Sequence, residues 1–369
     1  MHSTLSDFAR KLRREIGAFK AEHKPGVATF PFEDRAFLLF ALQFELNPDY
    51  RLLCESRGVS PMTVQCWQQI PAIPTTAFKE LPLSCIPSRA RTAYFESSGT
   101  SRRIRGRHWH HAESLALYSE SLLQWFEACR RPDPHQPSMI ILTPPPAAVP
   151  HSSLVFMFDA LRRRWNIDSS TFLGELSDDA WTLDRARVHS AFQRATESNH
   201  PVAVFGTAFS FVQLLDDFAT RSVRHNLPEK SWVLETGGYK GRSRAIPKVE
   251  LHALITHHLG VPEFHIFSEY GMSELSSQAY DRLSEPGAAS QRHFLFPPWA
   301  RSRVISPETG TEVRDGETGL LQVFDLANAF SVLAIQTEDL ATRRGDGFEL
   351  RGRATSSEPR GCSLQVAGA

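Results

Sequence analysis

The chain has 369 residues, which is long enough for two or three packed lobes around a sizeable core. Its 41 basic and 41 acidic residues cancel. The chain therefore lacks the basic excess that phosphate-backbone binding uses, and we expect no nucleic-acid partner. Hydrophobic residues make up 41% and charged residues 22% of the chain, ordinary values for globular proteins that exclude wholesale disorder.

No stretch of the sequence predicts insertion into a membrane. The longest uninterrupted apolar run, at about residues 36–42, is far shorter than the roughly 20 residues that a spanning helix needs. The first residues include no apolar signal core behind their basic side chains. We therefore expect a cytoplasmic protein.

The five cysteines are odd in number and widely scattered, and no two of them have the CxxC spacing of a zinc site or a redox disulfide. They are Cys54, Cys66, Cys85, Cys129 and Cys362. The first four are expected to be small buried hydrophobic residues of a reduced protein. Cys362 differs because it lies in a polar segment between Gly361 and Ser363, where burial is less favourable.

The first part of the chain has the apolar spacing of amphipathic helices. Phe8, Leu12, Ile16 and Phe19 predict one face of a first helix. The apolar stripe of a second helix is predicted at Phe37, Leu38, Phe40, Ala41 and Phe44. Prolines then interrupt the region 71–87, a turn-rich segment follows at 94–110, and a helix is predicted at about 113–129.

From Ser138 onward, short apolar strands alternate with amphipathic helices, which is typical of a mostly parallel α/β sheet. The strands are predicted at 139–142, 202–205, 232–236 and within 264–274. Helices are predicted at 152–164, with Ser152 as the N-cap, and at 209–219 and 247–259. Ligands of such sheets gather at the carboxyl ends of the strands. We therefore expect the loops at 206–210, 237–244 and 270–274 to converge on one site.

The pattern changes after about Arg282, where short apolar runs separated by turns predict a small antiparallel sheet or barrel. We accordingly divide the chain into residues 1–282, a helical N-terminal segment with α/β subdomains, and residues 283–369, a small β-rich subdomain with a C-terminal tail.

A first candidate motif is a loop rich in hydroxyl groups and arginines. Backbone N–H groups and hydroxyls of such a loop can donate to phosphate oxygens, while guanidinium groups neutralise charge. The Walker pattern of P-loop nucleotide sites is absent. The alternative interpretation is a solvated surface turn that binds no ligand. The loop comprises Ser97, Ser98, Gly99, Thr100, Ser101, Arg102, Arg103, Ile104 and Arg105.

The second motif, residues 268–274, follows a predicted strand. Tyr270 can stack on a base, Gly271 permits close approach of the backbone to a ligand, and Glu274 can bind a magnesium ion through a carboxylate oxygen. The alternative is a strand-end turn with a surface glutamate.

The third motif pairs a carboxylate with a guanidinium group. Asp339 can accept hydrogen bonds from ribose hydroxyls, and Arg353, beyond a short predicted hairpin, can contact the ribose or a phosphate. The alternative is a surface ion pair of little energetic value. Two adjacent histidine pairs, at 110–111 and 257–258, point about 100° apart on a helix and are assigned to solvent or a helix surface.

Together, in this order and at this spacing, the three motifs resemble those of the adenylate-forming superfamily of acyl-CoA synthetases and luciferases. The superfamily's phosphate loop resembles residues 98–106, with Arg105 where a lysine is usual, and its YGxTE motif resembles residues 270–274. Its TGDL motif resembles residues 337–340, and its GRxD motif begins at Gly352, although Thr355 replaces the final Asp.

Within that group, segments 237–244, 269–281 and 351–364 resemble the acyl-protein synthetases of bacterial luminescence (LuxE type). The resemblance implies the α/β body of an adenylate-forming enzyme, with doubly wound, mostly parallel sheets and a small β-barrel-like subdomain. Since the chain ends at Ala369, we expect it to lack the mobile C-terminal lobe of CoA ligases, as those synthetases do.

The resemblance also implies roles for individual residues, with ATP and Mg²⁺ as cofactors. The implied catalytic residues are Cys362, Glu274 and Arg105, and the implied magnesium ligands are Thr100 and Glu274. The acid is expected against Phe205, Gly206, Thr207 and Phe209. The nucleotide is expected against Ser97, Ser98, Gly99, Thr100, Ser101, Arg102, Gly237, Gly238, Tyr239, Tyr270, Gly271, Met272, Ser273, Asp339 and Arg353.

The implied activity is the ATP-dependent activation of a carboxylic acid, a fatty acid by resemblance, to acyl-AMP, followed by acyl transfer to a protein cysteine. The acceptor is Cys362 itself, a partner protein such as a reductase or a carrier protein, or both. Two alternatives stay open: a non-catalytic scaffold that binds nucleotide or acyl groups, and an acyl-adenylate transferase that acts on a carrier protein or an amine.

Overall fold

We analysed a computed structural model that describes residues 4–19, 30–97, 105–129, 136–177, 180–237, 246–281 and 292–354. Its α-helices within these ranges, in chain order, are α1 Leu5–Gly17, α2 Phe32–Leu46, α3 Pro48–Ser56, α4 Ala112–Cys129, α5 Ser153–Arg164, α6 Arg185–Glu197, α7 Ala208–Thr220 and α8 Lys248–Leu259. A short 3-10 helix at Thr75–Lys79 precedes the first candidate motif.

The strands within the same ranges are β1 Ile73–Pro74, β2 Ala93–Glu96, β3 Arg107–His110, β4 Ser138–Ile141, β5 Gly174–Ser177, β6 Ala180–Leu183, β7 Val202–Thr207, β8 Trp232–Thr236, β9 Ile266–Tyr270, β10 Ala279–Asp281, β11 Phe294–Leu295, β12 Ala300–Ile305, β13 Thr318–Asp325, β14 Ala334–Arg344 and β15 Gly347–Arg353. Among these residues β2–β3 and β5–β6 form separate hairpins, and the other strands join one sheet.

That sheet is half parallel and half antiparallel. Its order is β12-β13-β14-β15-β11-β10-β9-β8-β7-β4, and β1 pairs with β14. Strands β4, β7, β8 and β9 run parallel, whereas the pairings from β9 through β10, β11 and β15 to β12 are antiparallel. The parallel α/β region and the later antiparallel region were both predicted from the sequence, and the structure confirms them.

Helices cover both faces of the parallel half, which makes it doubly wound. On one face, Val204, Val233 and Ile266 pack with α6, α7 and α8. On the other face, Phe205 and Leu234 pack with α4 and α5. Because both faces are buried, these strands are continuous apolar runs, and this is why they were recognisable from the sequence.

The N-terminal helices pack with the antiparallel half in a third cluster. Phe8, Leu12 and Ile16 on α1 are buried there, as predicted. The predicted stripe on α2 was partly wrong, since Leu38 is exposed and the buried face instead includes Leu39. Residues 36–42 of this helix are all apolar, so in this run the sequence does not say which side of the helix faces the core.

The expected β-barrel-like subdomain takes another form. Strands β11 to β15 continue the large sheet through β10, and no closed barrel forms within the described ranges. The boundary predicted at residue 282 falls in the segment 282–291, outside the described residues, and the division into two domains stays a prediction. Of the helices in the described ranges, none is both long and apolar enough to cross a membrane.

Candidate active site

The second and third sequence motifs meet in the structure, although β10 and β11 separate β9 from β15 and β14 in the sheet. The hydroxyl of Tyr270, the last residue of β9, donates a hydrogen bond of 2.7 Å to Oδ2 of Asp339. The β14–β15 register places Arg353 opposite Asp339, and its Nε lies 3.4 Å from Oδ1. Residues 69 and 14 positions apart along the chain thus form one cluster.

The cluster combines a buried carboxylate with an exposed cation. Burial raises the pKa of Asp339, while the Tyr270 hydrogen bond and the Arg353 charge oppose that rise. The ring of Tyr270 lies 5.2 to 6.3 Å from those of Phe294, Phe296 and Phe348. The Arg353 side chain is 70% exposed, so its remaining N–H groups face solvent.

Glu274 lies four residues beyond Tyr270 and is only 5% exposed. The Ser273 hydroxyl donates to its Oε2 at 3.0 Å, and the amide of Asn328 donates to its carbonyl oxygen at 2.9 Å. Burial raises the pKa of the carboxyl, and the charges of Arg353 and Lys79 oppose the rise. Backbone and side chain of Glu274 are therefore both held in place.

The glycine of this motif is required by a close contact. A Cβ atom at Gly271 would lie 2.3 Å from Oε1 of Glu269, too near for any side chain without movement of that carboxylate. Burial raises the pKa of Glu269 to about 7, and the charge of Glu235 adds to the rise. Met272, the next residue of the motif, is partly buried and packs against the core that contains the N-terminal helices.

The phosphate-loop candidate is described only at its base. Ser97 and Gly106 close the β2–β3 hairpin: the Ser97 N–H donates to the Gly106 carbonyl at 3.0 Å, and the Gly106 N–H donates to the Ser97 hydroxyl at 2.9 Å. Arg105 is exposed and lies 3.4 Å from Glu96. Ser98, Gly99, Thr100, Ser101 and Arg102 lie outside the described residues.

The predicted glycine loop begins at the end of β8. A Cβ atom at Gly237 would meet no atom within 4 Å, so this position opens to free space. Gly238 and Tyr239 lie outside the described residues. Their predicted contacts with the nucleotide stay predictions.

The four residues expected to contact the acid lie at the β7–α7 junction. Phe205 is fully buried among Phe158, Trp232 and other rings, the surroundings of a core residue. Thr207 caps α7 through Ser210, and Gly206 packs closely against the same serine. Phe209 is the partly exposed member of the set.

Two histidines near this site were not expected there from the sequence. His108 Nδ1 lies 2.9 Å from the Ser273 carbonyl and thereby links the β2–β3 hairpin to the Glu274 loop. His110 was assigned to solvent or a helix surface, but it is 1% exposed on β3. His258 is also buried, whereas His257 is exposed as expected. Alternation in the run RHWH was the available signal, since residues i and i+2 of a strand share a face.

The described cysteines are free thiols. Cys54 and Cys129 are buried as predicted, whereas Cys66 and Cys85 are only partly buried. Burial raises the pKa of Cys54 to about 11 and that of Cys85 to about 12, which keeps both protonated at neutral pH. Cys362 lies outside the described residues.

Of the two residues predicted to bind magnesium, Thr100 and Glu274, Glu274 is the one among the described residues. No group of three or more His, Cys, Asp or Glu side chains suited to a metal is present in the described ranges. Thr100 lies outside them, and Glu274 is a single buried carboxylate. One or two carboxylates plus phosphate oxygens are a usual ligand set for Mg²⁺, and Glu274 fits that arrangement.

Comparisons with known proteins agree with this fold. The structure of 2-hydroxyisobutyryl-CoA ligase in an open conformation, with 2-HIB-AMP and CoA, is similar with a TM-score of 0.61 at 13% identity, over 91% of this chain and 75% of that one. The same ligase in the thioesterification state has a TM-score of 0.62 at 12% identity, over 91% and 73%. At this identity the likeness concerns the fold of adenylate-forming enzymes.

Two curated sequences are also similar. Each is named long-chain-fatty-acid–luciferin-component ligase, one from Aliivibrio fischeri and one from Vibrio harveyi, and each is 22% identical over 350 and 345 residues respectively. Both alignments cover 89% of this chain and 85% of the relative. The family model described as acyl-protein synthetase, LuxE, matches residues 33–369. The chain therefore belongs to the LuxE acyl-protein synthetase family.

Proposed function

We propose that this protein activates a fatty acid with ATP and Mg²⁺ to acyl-AMP and then transfers the acyl group to a protein thiol. Membership of the acyl-protein synthetase family places it among ligases. The curated relatives are named for long-chain fatty acids, which supports a fatty acid as the substrate of this chain as well.

In the first step, a carboxylate oxygen of the acid forms a bond to the α-phosphorus of ATP, and the bond from that phosphorus to the bridging oxygen of pyrophosphate breaks. No proton moves, since carboxylate and leaving pyrophosphate are both anions. The work of the protein is therefore positioning and neutralisation of charge. Bound Mg²⁺ supplies further neutralisation of the phosphate oxygens.

The Tyr270–Asp339–Arg353 cluster is the observation that carries this proposal. Oδ2 of Asp339 accepts the hydrogen bond from the Tyr270 hydroxyl, and Oδ1 lies beside Nε of Arg353. A carboxylate has about four lone-pair sites, so it retains capacity to accept hydrogen bonds from ribose hydroxyls. Glu274, four residues from Tyr270, supplies the carboxylate for Mg²⁺.

The contacts of the β2–β3 hairpin support a position for the ATP phosphates near Glu274. His108 joins the base of the β2–β3 hairpin to the Ser273 carbonyl. The first candidate motif leaves and re-enters this hairpin at Ser97 and Gly106. Its hydroxyls and Arg105 would accordingly reach the pyrophosphate part of ATP, while Gly237 borders the adenine.

In the second step, a thiolate sulfur attacks the acyl carbonyl carbon, a thioester bond forms, and AMP leaves with the electron pair of the carbon–oxygen bond. Cys362 lies nine residues after Arg353, a distance of up to roughly 30 Å in extended chain. That length spans the Asp339 cluster and its surroundings. Burial keeps Cys54 and Cys85 protonated, which disfavours them as nucleophiles, and Cys362 is the acceptor that the family resemblance implies.

Pyrophosphate exchange into ATP tests the first step. The full-length protein is incubated with fatty, aryl and amino acids in turn, and we expect acid-dependent exchange that is strongest for a fatty acid. Glu274→Gln should reduce exchange at least tenfold while the protein stays folded. Absence of exchange with every acid would instead favour the non-catalytic scaffold.

Acyl labelling tests the second step. Wild type should acquire a hydroxylamine-labile acyl label, and Cys362→Ser should lose it while retaining exchange. Cys66→Ser, which removes a partly buried thiol, is the matched control and should keep the label. Hydroxylamine-labile label that persists in Cys362→Ser would transfer the acceptor role to another thiol or hydroxyl group of this chain.

A further inference from the structure

Lysine is scarce in this protein, and one lysine lies beside the proposed active site. Of the 41 basic residues only 7 are lysines. Lys79 ends the 3-10 helix Thr75–Lys79, which contacts both β3 and β14. Strand β3 begins the return of the phosphate-loop hairpin, and β14 carries Asp339.

Close packing fixes this helix against the hairpin. A Cβ atom at Gly106, at the base of the hairpin, would lie 3.1 Å from Cβ of Phe78. The Phe78 ring also meets the ring of His108 edge-on, with centroids 6.2 Å apart. Because His108 contacts the Ser273 carbonyl at 2.9 Å, Phe78 packs on the side chain that links the hairpin to the Glu274 loop, and Lys79 is its neighbour in the chain.

The charge of Lys79 has no partner among the described side chains. Lys79 is exposed, and it makes no ion pair with any residue in the described ranges. Lys248, by contrast, is paired with Asp281 at 2.5 Å. Lys79 and Arg353 are the two cations whose charges act on the Glu274 carboxyl, so Lys79 contributes positive potential where a phosphate–magnesium group would lie.

We propose that the Lys79 ammonium group binds the pyrophosphate portion of ATP and stabilises it as the leaving group. The inference rests on the proposed function for its catalytic meaning. A lysine suits this task because its ammonium is a compact charge on a flexible stem with three donors, and phosphate oxygens accept such charge-assisted hydrogen bonds. Arg353 lies beside Asp339 and Arg105 beside Glu96, whereas Lys79 has no ion-pair partner among the described side chains.

Binding of pyrophosphate with Mg²⁺, measured by calorimetry on the full-length protein, tests the inference without turnover. Lys79→Met should weaken binding at least tenfold, and Lys79→Arg should retain most of the affinity because it keeps the charge. Lys11→Met is the matched control, since Lys11 is also exposed but lies on α1. It should leave affinity unchanged.

A structural role gives a different result. If Lys79 only balances the charge of Glu274, then Lys79→Met lowers the melting temperature and leaves the dissociation constant of pyrophosphate at the wild-type value, which overturns the inference. Equal affinity of Lys79→Met and Lys11→Met overturns it too.

The exchange assay separates this inference from the proposed function. Acid-dependent exchange together with unchanged pyrophosphate affinity in Lys79→Met would leave the function standing and remove Lys79 from the site. Absence of exchange together with weakened pyrophosphate binding in Lys79→Met would remove the function and keep the anion site.

Discussion

Glu235 and Glu269 lie on adjacent parallel strands and are equally buried, 4% and 5% exposed, yet they differ in charge behaviour. Glu235 is in register with Ser268, so the two glutamates point to opposite faces of the sheet. Burial opposes ionisation of Glu235, but His252, the charge of Lys248 and the Ser268 hydroxyl outweigh it and lower its pKa. Burial raises the pKa of Glu269 to about 7.

The neighbours on each face account for this difference. On the α8 face, the Ser268 hydroxyl donates to Glu235 at 2.6 Å and His252 Nε2 lies 3.7 Å away. On the α4 face, Glu269 meets the Thr236 hydroxyl, and the charge of Glu235 acts against its ionisation. Burial alone therefore does not decide whether a carboxyl is charged, because hydrogen bonds and nearby charges enter with either sign.

Removal of Glu235 should have the largest effect. Glu235→Ala leaves the Ser268 hydroxyl without its acceptor, removes the carboxylate near His252 Nε2 and opens a cavity, so we expect a loss of about 3 to 5 kcal/mol of unfolding free energy at pH 7. Because the pKa of Glu235 is lowered in the folded state, its contribution is present above its ordinary pKa and declines as the pH falls through the folded value.

Urea unfolding at pH 7 and pH 4 measures the loss. Glu235→Gln keeps the volume and one acceptor and should lose less. An equal stability of Glu235→Ala and wild type at pH 7 would show that the partners on the α8 face do not stabilise this carboxylate.

Glu269→Gln should act in the opposite direction. Between the ordinary pKa of 4.5 and the folded value of about 7, the folded protein holds a proton that the unfolded chain releases, so stability falls as the pH rises through this window. The neutral variant avoids that loss and should gain up to about 3 kcal/mol at pH 8 relative to wild type.

Thermal unfolding at pH 5 and pH 8 checks this expectation. Wild type and Glu269→Gln should be similar at pH 5 and separate at pH 8. A gap of the same size at both pH values would mean that Glu269 is already ionised at pH 5 in the folded protein.

Gly271→Ala tests the position of the Glu269 carboxylate. The added Cβ would lie 2.3 Å from its Oε1, and overpacking of this kind costs about 1 to 3 kcal/mol. We also expect weaker ATP binding, because the loop that carries Glu274 begins here. If the double variant Gly271→Ala, Glu269→Ala is more stable than Gly271→Ala alone, the clash with the Glu269 carboxylate causes the loss. If the losses of the two single variants simply add, this clash is not the cause.

Arg105→Ala should change stability least. Its ion pair with Glu96 at 3.4 Å is exposed, and such pairs contribute about 0 to 1 kcal/mol. Activity should fall far more, at least tenfold in pyrophosphate exchange, if Arg105 binds phosphate. Arg107→Ala, which removes the other arginine beside Glu96, is the control and should retain exchange. Equal activity in both variants would remove Arg105 from the site.

Much of the fold was predictable because its signals are local. Strand β8 was predicted at its observed bounds, and Ser152 was identified as the cap of α5. A buried parallel strand is a short apolar run, and a helix cap is one side chain next to its own turn. The stripe on α2 was misjudged because residues 36–42 form an uninterrupted apolar run.

The site was predictable only as separate motifs. Tyr270, Asp339 and Arg353 stood out by type and order in the sequence, but the hydrogen bond between the first two joins residues 69 positions apart. His108 was not recognised because its contact with Ser273 joins residues 165 positions apart. Lys79 was not singled out because only the packing of its neighbour Phe78 places it near the hairpin base.

The sequence by itself was enough to predict the alternation of strands and helices and the family of the protein, since each depends on local pattern or motif order. Only the tertiary structure decided that the antiparallel strands extend the same sheet, and that Glu235 and Glu269 differ in charge behaviour. Strand order and the neighbours of a buried carboxyl are set by pairing between distant segments, and hydrogen bonds and charges across those pairings then fix the pKa.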